Sequence, residues 1–187
     1  TATGSGKSAS FAIPILVHQE LSRNPTAYPR FRCRKLPVGI VVTPTNGLAA
    51  NIVSGLKDFG INGLAYTHET LTETRKAGRS IAEEISSCAI WQVICVDPEH
   101  LRGLEWRRIS ASDTFRDNII YACAGECHLI LQWGRSFRPC FKHIGAFFRG
   151  RLPSTLAVIG LSATLPPGPS TVSFLRWQDQ WAEVWLE

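Results

Sequence analysis

Val38-Gly39-Ile40-Val41-Val42-Thr43, followed at once by Pro44, is a near-continuous apolar and β-branched run that ends in a turn. A strand without polar alternation has no face for water, so it belongs in a parallel sheet covered on both sides. The same reading extends outward to Gln92-Val93-Ile94-Cys95-Val96, Ile119-Ile120-Tyr121-Ala122-Cys123, Leu156-Ala157-Val158-Ile159-Gly160-Leu161 and, more weakly, Gly63-Leu64-Ala65-Tyr66-Thr67. Between these runs the pattern predicts helices at about 7–22, 47–59, 72–86 and 141–149. Thr70-Leu71-Thr72-Glu73 has the form of a capping box opening the third. Strand–helix alternation of this kind predicts an α/β domain, a doubly wound and mostly parallel sheet with helices on both faces. Ligands bind such folds at the carboxyl ends of the strands. Chemistry is therefore expected at Thr43-Pro44, Asp97-Pro98, Gly125–His128 and Ser162–Thr164, each of which follows a strand-like run.

The bulk properties narrow the class. A chain of 187 residues is long enough for one domain with its own core. Its 44% hydrophobic and 19% charged fractions are those of an ordinary globular protein. No apolar run reaches the ~18 residues that span a bilayer, so no membrane partner is expected. The net charge of +5 hints at a polyanionic partner. Its distribution says more: Arg135, Arg138, Lys142, Arg149 and Arg151 share a stretch with no acidic residue. The knot Arg30-Phe31-Arg32-Cys33-Arg34-Lys35 reads as a solvated loop. The six cysteines (33, 88, 95, 123, 127 and 140) form no C-x-x-C pair. They read as structural thiols of a reducing compartment rather than zinc ligands.

At the amino end, Thr1-Ala2-Thr3-Gly4-Ser5-Gly6-Lys7-Ser8 precedes the apolar run Phe11-Ala12-Ile13-Pro14-Ile15-Leu16. A flexible Gly-x-Gly-Lys-Ser turn opening a helix gathers backbone N–H groups around an anion. Thr3, Gly4, Ser5, Gly6, Lys7 and Ser8 are therefore candidate ATP-binding residues, with Lys7 on the β/γ-phosphates and Ser8 on Mg²⁺. Thr1 stands where the full signature has its first glycine. The chain begins in mid-motif and contains no methionine, so the strand that should lead into this loop is expected to be missing.

The most specific segment is Gly125-Glu126-Cys127-His128-Leu129-Ile130-Leu131-Gln132-Trp133-Gly134-Arg135-Ser136-Phe137-Arg138-Pro139. It resembles the RecQ family of DNA helicases, of the DEAD/DEAH-box type, in which a D-E-x-H box runs into an aromatic-rich loop, Q-W-G-x-x-F-R-P. The phosphate loop, Thr43-Pro44, Val96-Asp97-Pro98-Glu99 and Ser162-Ala163-Thr164 match in the same order. The resemblance covers residues 1–165 and implies the RecA-like ATP-binding lobe of such a helicase, leaving 166–187 as a divergent Trp-rich tail. It implies ATP and Mg²⁺ as cofactors and DNA, single-stranded or unwinding, as partner. It also implies 3′→5′ unwinding, work in DNA repair and recombination, and a nuclear location.

By that resemblance Lys7 and Glu126 are catalytic, Glu126 orienting and deprotonating the attacking water. Ser8 and Glu126 would serve the nucleotide-borne Mg²⁺. His128, Ser162 and Thr164 would couple hydrolysis to movement. Thr43, Gln132, Trp133, Arg135, Phe137 and Arg138 would contact DNA, the aromatic rings offering flat faces to unstacked bases at ~1–3 kcal/mol per base. Trp133 and Phe137 as plain core residues is the competing reading, which the interleaved Arg, Gln and Gly oppose.

Three departures weigh against an intact motor. Gly125 stands in place of the acidic box's first aspartate, which in the family holds Mg²⁺. Asp97 stands where the family has threonine, and a carboxylate would repel a DNA phosphate. No second lobe follows Thr164; instead come Pro166-Pro167-Gly168-Pro169 and a tail with Trp177, Trp181 and Trp185 on one helical face. The alternative function is therefore a degenerate, hydrolysis-deficient lobe that binds nucleotide or DNA as an interaction module. A different P-loop ATPase is the third reading, against which the Gln132–Pro139 frame argues.

Overall fold

The computed structural model describes residues 7–126, 140 and 143–162, with the backbone alone at position 7. Thr3, Gly4, Ser5, Gly6, the Lys7 side chain, Cys127, His128, Gln132, Trp133, Arg135, Phe137, Arg138, Thr164 and the tail all lie outside them.

Five strands make one all-parallel sheet: β1 (Val38–Val42), β2 (Gly63–Tyr66), β3 (Val93–Val96), β4 (Ile119–Gly125) and β5 (Ala157–Leu161), in the order β2-β3-β1-β4-β5. Every strand-like run of the sequence becomes a strand. β1 and β3 are buried throughout, as their lack of polar alternation requires. The described helices are α1 (Lys7–Arg23), α2 (Asn46–Lys57), α3 (His68–Lys76), α4 (Ile81–Ser87), α5 (Leu104–Ala111), α6 (Asp113–Asn118) and α7 (Ile144–Gly150), with a 3-10 turn at His100–Arg102. They cover both faces, one apolar cluster running through Val42, Ile94, Trp106, Phe115 and Phe148 and the other through Phe11, Ile15, Val41, Cys95 and Tyr121. The α/β, doubly wound expectation holds. Among the described residues no helix is long and apolar enough to cross a membrane.

Two details depart from the sequence pattern. The single helix expected over 72–86 is two, α3 and α4, separated where Gly78 adopts a φ of 68°. Glycine takes that left-handed backbone without the clash a Cβ would bring, so the chain turns there. The cap of α3 is also Thr67, whose hydroxyl accepts from the Thr70 amide at 3.3 Å, rather than Thr70 itself. The α5–α6 pair was not foreseen; Ser112, which caps α6 by accepting from the Phe115 amide, is its local signal.

One glycine sets how α1 meets the sheet. Gly39 of β1 lies beside Tyr121 of β4, and a Cβ at Gly39 would overlap the Tyr121 ring. That space lets the buried ring cross β1, and its hydroxyl donates to the Phe11 carbonyl of α1 at 3.0 Å. Pro14 lies inside α1 and has no N–H to offer the carbonyl one turn before it.

Candidate nucleotide and nucleic-acid site at the strand edge

Because every strand points the same way, the carboxyl ends share one edge. Registers Val42↔Val96, Val42↔Ala124 and Gly125↔Leu161 set the exits side by side. Along the edge they read Asp97, Thr43, Gly125-Glu126 and Ser162, four stretches far apart in sequence.

Glu126 leaves β4 in a left-handed conformation, φ 51°, which a side chain bearing a Cβ adopts at a cost of about 1–3 kcal/mol. Such strain persists where the surroundings fix it, and here it falls on the carboxylate that the sequence singles out. Gly125 is tightly placed: a Cβ there would come 3.2 Å from the Val42 carbonyl oxygen of β1.

The turn after β3 is built differently. Asp97 Oδ1 accepts from the His100 backbone N–H at 2.9 Å and pairs with His100 Nδ1 at 2.6 Å. The hydrogen bond from Asp97 is the main cause that raises the His100 pKa, with burial opposing it. The aspartate thus closes its own turn. His100 stacks edge-on against Tyr66, whose ring centroid is 5.1 Å away. Tyr66 in turn donates to Glu105, and burial together with that bond holds its hydroxyl protonated well above the usual tyrosine range.

Thr43 is not where a nucleic-acid contact needs it. It is 1% exposed, because its amide continues the ladder to the Val96 carbonyl at 2.9 Å and carries the residue into the core. Its neighbour Thr45 is exposed and caps α2, accepting from the Leu48 amide at 3.3 Å. The exposed first turn of α2 is therefore the surface this segment offers to an anion. Sequence reasoning missed Thr45; the threonine immediately before a helix is its N-cap signal.

Ser8 packs against α2. It is half-buried on the first turn of α1 against Gly55, where a Cβ would overlap its hydroxyl. The loop that would hold a nucleotide and its Mg²⁺ lies outside the described residues. Glu126 supplies a carboxylate, Gly125 none, and no three His, Cys, Asp or Glu side chains gather as a metal group among the described residues. Asp113 and Asp117 lie on α6 at the opposite end of β4. Cys88, Cys95 and Cys123 are buried, burial raising the Cys88 thiol to about 11 and Cys95 to about 12, whereas Cys33 and Cys140 are half-buried. Glu126 and Ser162, a carboxylate and a hydroxyl on adjacent strand exits, do suit a water and a phosphate as substrates.

Comparison with known proteins gives the family and the fold. Residues 1–172 match the family model for the DEAD/DEAH box helicase, a span that runs past residue 165. Over 167 residues the chain is 27% identical to the ATP-dependent DNA helicase RecQ of Bacillus subtilis (strain 168), covering 88% of this chain and 24% of that protein. The chain thus spans about a quarter of that relative. Among solved structures, the DUF1998 helicase MrfA bound to DNA and AMPPNP superposes with a TM-score of 0.57 at 14% identity, covering 91% of this chain and 22% of that one. The yeast DEAD-box splicing factor Prp28 does so with a TM-score of 0.56 at 18% identity, covering 95% and 38%. These two likenesses establish the RecA-like lobe as a fold.

Proposed function

The chain belongs to the DEAD/DEAH box helicase family, and from that premise we propose that it is the ATP-binding motor lobe of a RecQ-like DNA helicase. Its parent would couple ATP hydrolysis to strand separation with 3′→5′ polarity. The observation that carries the reading is the convergence of Glu126, Ser162 and the Thr45-capped end of α2 on one sheet edge. Glu126 orients and deprotonates the water that attacks the terminal phosphate. Ser162, on the neighbouring exit, senses that step, with His128 and Thr164 as partners in coupling. Thr3 to Lys7 bind the triphosphate, and Mg²⁺ arrives with the nucleotide. Gln132, Trp133, Arg135, Phe137 and Arg138 receive single-stranded DNA. The nuclear location belongs to this same proposal.

The test is unwinding by a protein carrying this lobe and its second lobe, on duplexes with a 3′ or a 5′ single-stranded tail. ATP-dependent opening of the 3′-tailed duplex alone supports the proposal. Opening of RNA alone, or from the 5′ tail, rejects the RecQ-like part of it.

A second reading rests on Gly125. The close approach to Val42 O shows a strand exit packed around glycine, which favours a lobe that binds without turnover. Removing a carboxylate that tunes a metal costs roughly 10–100-fold in affinity or activity.

A further inference from the structure

Two adjoining clefts on the flank of the sheet share Arg107 and Arg151. The larger, about 660 Å³, lies between the 3-10 turn with α5 and the length of α7, with Arg102 and His143 also on its walls. The smaller, about 290 Å³, is floored by Ser110 and Ala111 and flanked by Arg107, Arg116 and Arg151.

The arginines have different duties. Arg116 Nη1 donates to the Arg151 carbonyl at 2.5 Å and to the Ser110 carbonyl at 3.4 Å, at the carboxyl ends of α7 and α5. A cation is favoured at helix carboxyl ends, so Arg116 is a structural bolt that pins the Arg151 backbone beside α5. The Arg151 side chain is then left with Nη1 buried and without an acceptor. Arg102 and Arg107 make no ion pair with any carboxylate among the described residues. The acid on these walls is Glu99, at the upper end, which accepts from Cys140 Sγ at 2.9 Å. A guanidinium offers five N–H donors and no acceptor, in a fork that matches the oxygens of a phosphate. A buried N–H without a partner costs free energy, which a rotation of the Arg151 side chain toward an acceptor in the groove would recover.

The location selects the ligand. Arg102 follows β3 at the carboxyl edge, whereas Arg151 precedes β5 at the opposite edge. The groove therefore descends the flank from the edge where the nucleic-acid contacts of the proposed function lie. We infer that this groove is a phosphate-binding track for the nucleic-acid backbone, with Arg107 and Arg151 as its principal ligands and Arg102 at its entrance. The inference rests on the helicase-lobe reading and adds to it a surface that lies off the strand edge.

The experiment measures binding of fluorescently labelled single-stranded and tailed DNA to the chain over a range of salt concentrations. The chain is compared with Arg107→Gln/Arg151→Gln and with Lys57→Gln/Lys76→Gln, which removes equal charge elsewhere. Thermal unfolding of each checks the fold, and Arg107→Gln alone, with half the expected change in slope, serves if the double variant fails to fold. Each lost phosphate contact lowers the slope of log affinity against log salt by roughly 0.7 for a single strand. The expected result is a slope lower by roughly 1.4 in the arginine variant, with binding about tenfold weaker, and little change in the lysine control. A folded arginine variant with wild-type slope overturns this inference alone. Wild-type protein that binds no DNA overturns it together with the function on which it rests. A variant that keeps DNA binding but loses affinity for polyglutamate overturns it in favour of an acidic polypeptide.

Discussion

The turns after β3 and after β4 leave the same edge of the sheet on either side of β1, and each carries an acidic residue. After β3, Asp97 bonds twice to His100 and so supports its own turn. After β4, Glu126 sits in a left-handed conformation, φ 51°. One carboxylate closes its own turn, and the other stands on a left-handed backbone at the exit beside Ser162. Acidic residues at a strand edge are thus separated by what their backbone costs, not by their position.

The largest effect expected from this contrast is on turnover. In a protein with both lobes, Glu126→Gln should lower DNA-stimulated ATP hydrolysis by about 10²–10⁴-fold, the range for losing a general base. Asp97→Asn should leave it near the wild-type rate. Steady-state phosphate release checks both, and equal losses would erase the distinction between the turns.

Restoring the missing carboxylate is next in size. Gly125→Asp should raise the same rate by about 10–100-fold, provided the Val42 carbonyl yields a few tenths of an ångström to the new Cβ. No gain in a folded variant would contradict the reading of Gly125 as a lost metal-tuning carboxylate.

On stability the two turns should respond in opposite directions. Glu126→Gly relieves the left-handed strain and should stabilise the fold by up to about 1 kcal/mol while abolishing turnover. Asp97→Ala removes the bonds that close a half-buried turn and should destabilise by about 1 kcal/mol. Chemical denaturation of the two variants reads both signs.

The smallest effect is on pH dependence. The His100 pKa is raised in the folded chain, so the Asp97 pairing stabilises fully below the unfolded histidine value of about 6.5 and is lost as pH rises through the folded value. Asp97→Asn should bring the His100 titration, followed by NMR, back down and flatten stability across that window. An unchanged titration would mean that Asp97 is not its cause.

How much of this was legible in the sequence differs between framework and site. The five strands are readable because a fully buried parallel strand must be apolar along its length. The break at Gly78 was lost inside a helical pattern, since the residues on both sides suit a helix and the left-handed turn is a property of a single backbone position. Thr43 and Thr45 look alike in sequence. Only the ladder bond from the Thr43 amide, made to a strand fifty residues away, decides that the first is buried and the second exposed. The basic run ending at Arg151 was visible, but not its union with Arg102 and Arg107, which lie on a different helix pair. Ser8 was legible as a motif residue, whereas its seat against Gly55 depends on how closely α1 and α2 approach.

The central claim is that the amino-terminal loop and this strand edge form a nucleotide site. Calorimetric titration of Mg-ATP into the chain, beside a Lys7→Ala variant, tests it most directly. The account predicts saturable binding by the wild type that the variant loses. No binding by folded wild-type protein, or equal binding by Lys7→Ala, would contradict it.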